Sequence, residues 1–152
     1  MKRLAITLTL WLTAATAGAQ SLARVASGIP AWADSAFANA GLGTRYALTS
    51  GVNPDVRWGD FDGDGFLDVA LGIVDGSRRR GIAFIHRIDR SVHIVGAGQP
   101  VGNGRDELPV VADWGVQRLR SHRDAIRVDG SGDWKGWIVW NGQSYVWVQD
   151  AD

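Results

Sequence analysis

The segment Asp60-Phe61-Asp62-Gly63-Asp64-Gly65-Phe66-Leu67-Asp68 places four carboxylates within nine residues and runs directly into apolar Val69-Ala70-Leu71. Four like charges held this close repel one another, and an oxygen-seeking cation is the usual reason to keep them together. The spacing suits Ca²⁺, which takes six to eight oxygen ligands at roughly 2.3–2.6 Å. Asp60, Asp62 and Asp64 fill loop positions one, three and five, and Gly65 sits at position six, where such a loop turns sharply. Phe66 can offer its backbone carbonyl at position seven, and Asp68 its carboxylate at position nine, directly or through water. An acidic, glycine-rich turn between strands is the conformational alternative. It would explain one Asp-Gly pair, but not four spaced carboxylates.

The exit from the loop decides its class. An EF-hand carries a bidentate Glu at position twelve, whereas this chain has Leu71 there. Val69, Leu71, Ile73 and Val74 continue as an extended, half-buried pattern, so the loop opens into a strand rather than a helix. A calcium loop of this form, DFDGDGFLDVALG from Asp60 to Gly72, resembles the FG-GAP/VCBS repeat family of integrin-type β-propellers. The resemblance implies that Asp60, Asp62, Asp64 and Asp68 bind the metal. It covers one repeat: no second DxDxDG occurs, so length and motif count exclude a seven-bladed propeller.

The first nineteen residues stand apart from the fold. Lys2 and Arg3 lead an apolar stretch from Leu4 to Thr16, and Ala17-Gly18-Ala19 is a small-residue cleavage site. This pattern predicts a signal peptide cut near Ala19, and hence a secreted or periplasmic protein. The apolar run is too short for a membrane span. Removing nineteen of 152 residues leaves 133, residues 20–152, the size of one domain. That domain has no cysteine, so packing, aided by any metal it holds, must stabilise it where disulfides could otherwise form. It carries 14 basic against 16 acidic residues, which offers no electrostatic footprint for nucleic acid.

Along the chain, Pro30 in a favoured early position introduces a short helix through Ala38, terminated by Gly41 and Gly43. Short strands are expected at Tyr46–Thr49, Val69–Val74, Ile82–His86, Val92–Val95, Ala125–Val128, Trp137–Trp140 and Tyr145–Val148, with Val56-Arg57-Trp58 leading into the acidic loop. Val110–Leu119 reads as a strand or an irregular connection. Asn53-Pro54-Asp55 is a turn, and Asn141-Gly142 is a strong hairpin signal. The Gly96–Gly104 segment fits neither phosphate-loop pattern and reads as a structural loop. The expected fold is mainly β: antiparallel meanders of propeller-blade character with one short N-terminal helix. Gly96-Ala97-Gly98, Gly102-Asn103-Gly104, Trp140-Asn141-Gly142, Tyr145 and Trp147 further resemble a group of small secreted bacterial proteins with one FG-GAP-like loop, a resemblance that brings no activity with it.

Other candidates are weaker. On a strand, Trp137 and Trp140 point to opposite faces, so at most one belongs to the core of a one-sided sheet, and the other is covered by the helix, a second sheet or a partner. His86 and His93 fall in neighbouring strands and could approach each other, but no zinc-ligand pattern contains them. No GxSxG elbow is present, and Arg78-Arg79-Arg80 reads as a solvated turn or a contact for an acidic partner. The leading expectation is therefore a non-catalytic calcium-binding β-domain for recognition or structural support, with another protein or a cell-surface glycan as partner. An inhibitor or immunity protein against a cell-wall hydrolase, and a small calcium-dependent hydrolase, are the alternatives.

Overall fold

The structure, a computed structural model, describes residues 28–49, 56–109, 113–130 and 132–150. The signal segment, the leader after it and the Asn53-Pro54-Asp55 turn lie outside the described residues. Among the described residues, one α-helix, α1 (Ala31–Asn39), and a short 3-10 turn (Leu42–Thr44) precede nine strands: β1 (Tyr46–Leu48), β2 (Val56–Gly59), β3 (Asp68–Asp75), β4 (Arg80–Ile85), β5 (Val92–Gly96), β6 (Asp113–Arg118), β7 (Asp124–Asp129), β8 (Lys135–Trp140) and β9 (Tyr145–Gln149). Pro30 caps α1 in extended conformation, and Gly41, at φ +68°, turns the chain out of it.

β1 to β5 form one antiparallel sheet and β6 to β9 another. In the first, β3 is long enough to pair with two short strands along one edge. Tyr46–Leu48 align with Ile73–Asp75, and Val56–Gly59 align with Asp68–Leu71. β4 and β5 follow on the other side. The second sheet is a meander in chain order.

These sheets pack face to face. Phe61, Ala70, Ile82, Phe84 and Val95 meet Trp114, Ile126, Val128, Ile138 and Tyr145 in one buried cluster. At its centre the Phe84 ring stacks on Tyr145 with centroids 3.7 Å apart, and Phe61 stands edge-on to Phe84. On the opposite face of the first sheet, Val69, Leu71, Ile73, Ala83 and Ile85 pack against Ala33, Ala36 and Phe37 of α1. The order is helix, sheet, sheet. Because both its faces are covered, β3 is buried from Asp68 through Ile73, rather than half-buried as its sequence suggests.

The expected propeller-blade character is therefore corrected. Blades stand side by side around an axis, whereas here two separate sheets lie over one another and neither closes into a barrel nor curls into a blade. The cause is in the layering: α1 supplies the cover that a neighbouring blade would otherwise give. The Gly96–Gly104 loop is structural, held by Gly98 N–H to the Asp106 carbonyl (2.7 Å) and Val101 N–H to the Arg105 carbonyl (2.8 Å).

Candidate metal centre

The acidic loop bridges β2 and β3 at one end of the first sheet. Two of its carboxylates shape the backbone. Asp62 Oδ1 accepts the Asp64 N–H (3.0 Å), and Asp64 Oδ1 accepts the Phe66 N–H (2.8 Å), successive Asx turns that coil the chain. Gly63 and Gly65 take φ of +84° and +90°, a region disfavoured for side chains with a Cβ. Gly63 has a second reason to be glycine: a Cβ there would meet Arg123 Nε at 2.6 Å.

Asp68 anchors the loop from beneath. It is fully buried. Its Oδ2 accepts the N–H groups of Phe61 (3.0 Å) and Asp62 (3.4 Å), while Oδ1 accepts that of Arg87 (2.8 Å). Burial pushes its carboxyl up to about 7, even though the three donors act in the opposite direction.

Asp60 ties the loop to the second sheet. Its N–H donates to Asp124 Oδ2 (2.8 Å), and its carbonyl accepts the Asp124 N–H (2.8 Å). Its Oδ2 lies 3.9 Å from the half-exposed Arg118 guanidinium, a distance at which attraction across solvent is weak. Its other oxygen, Oδ1, is buried and accepts no hydrogen bond. An unpaired buried carboxylate oxygen is costly.

Carboxylate oxygens of Asp60, Asp62 and Asp64 lie within 4.8 Å of one another, and so do ligand atoms of Asp62, Asp68 and His86. These overlapping clusters could hold a metal ion. Burial, followed by repulsion from Asp64 and Asp60, raises the Asp62 pKa, against relief from the Asp64 N–H and His86. Phe66 belongs to the loop, with its N–H fixed by Asp64 and its side chain in solvent.

His86 was not recognisable as a neighbour of the loop from its local motif. Continuing the β3–β4 register one pair beyond Val69↔Ile85 sets it opposite Asp68, and this register was the signal that could have found it. Its Nε2 bonds the Tyr145 hydroxyl (2.8 Å), and Nδ1 lies 3.2 Å from Ser91 Oγ and 3.6 Å from Asp62 Oδ2. Burial lowers its pKa, against the pull of Asp62, Asp89 and Asp64 in the other direction. His93 does approach it, with ring centroids 4.9 Å apart.

Trp114 and Trp134 are buried, while Trp137 and Trp140 take opposite faces. Trp140 packs on the inter-sheet core. On the outer face, Trp137 carries the Arg127 guanidinium 4.4 Å above its ring and donates from Nε1 to Gln117 (2.7 Å). No helix of the described residues is long and apolar enough to cross a membrane. No family model, curated protein or solved structure matches the chain.

Proposed function

We propose that this is a calcium-binding, non-catalytic β-domain of a secreted or periplasmic protein, whose FG-GAP/VCBS-like loop uses the ion to organise the junction between its two sheets. The ligands are the carboxylates of Asp60, Asp62, Asp64 and Asp68 and the carbonyl of Phe66. The observation that carries this reading is the buried, unpartnered Oδ1 of Asp60 beside two further carboxylates. A cation would satisfy that oxygen and relieve the repulsion among the three.

The donor chemistry favours calcium. Asp60, Asp62, Asp64 and Phe66 offer oxygen alone, which suits a hard cation. The nearby imidazole has both nitrogens engaged, by Tyr145 and by Ser91, which weighs against a nitrogen-ligated metal. Asp68, with three backbone donors on its oxygens, retains lone-pair capacity for a contact through water.

The arrangement around His86 supports a non-catalytic reading. Ser91 and Asp62 approach the same ring nitrogen, Nδ1, and Nε2 faces Tyr145. A nucleophilic triad needs the hydroxyl and the carboxylate on different nitrogens.

The role follows from position. The loop begins at Asp60, which is stitched to Asp124 of the second sheet, and at Gly63 it rests against Arg123. An ion here fastens the second sheet to the first. Extracellular calcium modules bind at roughly 10⁻⁴–10⁻³ M, and about ten times that dissociation constant adds ~1.4 kcal/mol of stability. Thermal unfolding in calcium is expected some 3–6 °C above that in EGTA, with a calorimetric binding signal. An unchanged midpoint and no heat would sink the calcium reading.

A further inference from the structure

We propose that the loop end of the first sheet is a calcium-dependent docking surface for an anionic phospholipid bilayer. The inference rests on the calcium reading above and adds a partner to it. Among the described residues, six large hydrophobic side chains are exposed, and four of them belong to this end: Trp58 (40%), Phe66 (52%), Leu67 (53%) and Ile88 (59%). The other two, Val116 and Val148, lie on the second sheet.

Strand register brings the four together from separate segments. Trp58 pairs with Val69 next to the loop exit. Leu67 adjoins Asp68, whose carboxylate accepts the Arg87 N–H, and Ile88 follows Arg87 at once in the β4–β5 turn. Phe66 and Leu67 are consecutive and both exposed, so no alternation turns either of them inward. Phe66, Leu67 and Ile88 each leave more than half of their surface in solvent.

Cations flank the patch. Arg87 and Arg90 from the β4–β5 turn lie over the Trp32 ring, at 5.6 and 4.8 Å from its centroid, and Trp32 stands edge-on to Trp58 (6.4 Å). Exposed aliphatic tips bordered by indoles and guanidinium groups match the layering of a bilayer surface, where apolar groups enter, Trp occupies the interface and cations meet phosphate. Points projecting from two loops need no matching cavity in a fluid surface, whereas a protein partner would have to supply one.

The charge balance makes the docking conditional. Without metal, Asp60, Asp62, Asp64, Asp89 and Asp124 outnumber Arg87, Arg90, Arg118 and Arg123 at this end and disfavour an anionic surface. Two positive charges from a bound ion remove that excess, and an ion held by a loop at the surface can itself meet a headgroup phosphate.

Co-sedimentation with vesicles of equal parts phosphatidylglycerol and phosphatidylcholine tests this, alongside calorimetric titration of calcium without lipid. The protein is expected to pellet in calcium and to be released by EGTA. The double variant Leu67→Ser/Ile88→Ser should bind vesicles at least about tenfold more weakly with its calcium titration unchanged, while Val148→Ser pellets like the parent. A normal calcium titration with no pelleting, or with equal pelleting on pure phosphatidylcholine, overturns the docking surface and leaves the calcium reading standing. Absence of any calcium heat overturns both.

Discussion

Two acidic turns of the first sheet begin alike and end differently. At the β3–β4 turn, Asp75 accepts the N–H groups of Ser77 (2.9 Å) and Arg79 (2.8 Å) through Oδ1, and the Arg79 guanidinium through Oδ2 (2.8 Å). Arg79 also reaches Asp106 at 2.6 Å. Although burial acts the other way, the N–H bonds and the guanidinium together lower the Asp75 pKa. At the β2–β3 loop, carboxylates are just as close to backbone donors, yet Asp60 Oδ1 is orphaned and burial raises Asp62 and Asp68. One turn carries its own cation on the chain. The other gathers carboxylates that could hold a metal ion and leaves one of their buried oxygens without a partner.

The largest test of that difference is Asp68→Ala. Three backbone N–H groups would lose their acceptor inside the protein, at a cost of about 3–5 kcal/mol. Urea unfolding in EGTA checks this, because the loss should persist without metal; a loss confined to calcium would make Asp68 a ligand and nothing more. Its titration separates the two turns further. In EGTA the folded protein holds a proton on Asp68 up to about pH 7, whereas the unfolded chain releases it near pH 3.8. The folded state thus binds more protons across that window, and this carboxyl's contribution to stability falls as pH rises through it. Carbon-13 NMR should give a midpoint near 7 for Asp68 in EGTA and a lower one in calcium, while Asp75 titrates below the ordinary carboxylate range in both.

A smaller effect is expected at Gly63. A methyl group there meets Arg123 and takes positive φ, so Gly63→Ala should cost about 2 kcal/mol. Gly142→Ala, at φ +103° in open space, should cost about half of that, the strain alone. Equal losses by thermal unfolding would show that the Arg123 contact is irrelevant. Smallest of all is Arg79→Gln. Arg79 is 40% exposed and Asp75 keeps its two backbone N–H donors, so stability should move little, while Asp75 returns toward its ordinary pKa and calcium affinity stays as it was. A change in calcium affinity would mean that the two turns are not independent.

Local features were legible wherever a residue's own chemistry dictates its conformation. Pro30 opens the helix and Gly41 closes it, and Trp137 and Trp140 fall on opposite faces because strand side chains alternate. Asn141-Gly142 marks a hairpin, although the loop runs through Ser144, with Asn141 Oδ1 accepting from Gln143 and Ser144 (2.9 Å each). The acidic loop was readable as a candidate metal site because its carboxylates lie within nine residues of chain. Its supports were not. His86, Arg123 and Asp124 reach it across hairpins and between sheets, and no spacing within the motif refers to them.

By itself, then, the sequence determined a mainly β chain with one short helix, and a loop whose carboxylates crowd together over nine residues, because both follow from interactions between near neighbours. Tertiary structure alone decided that the strands lie as two stacked sheets rather than as blades, that β3 is buried on both faces, and that Asp68 works as an anchor. Those outcomes depend on which surfaces cover which. Apolar burial is non-directional, and an apolar face gives no indication of the partner that will cover it until the whole chain has packed.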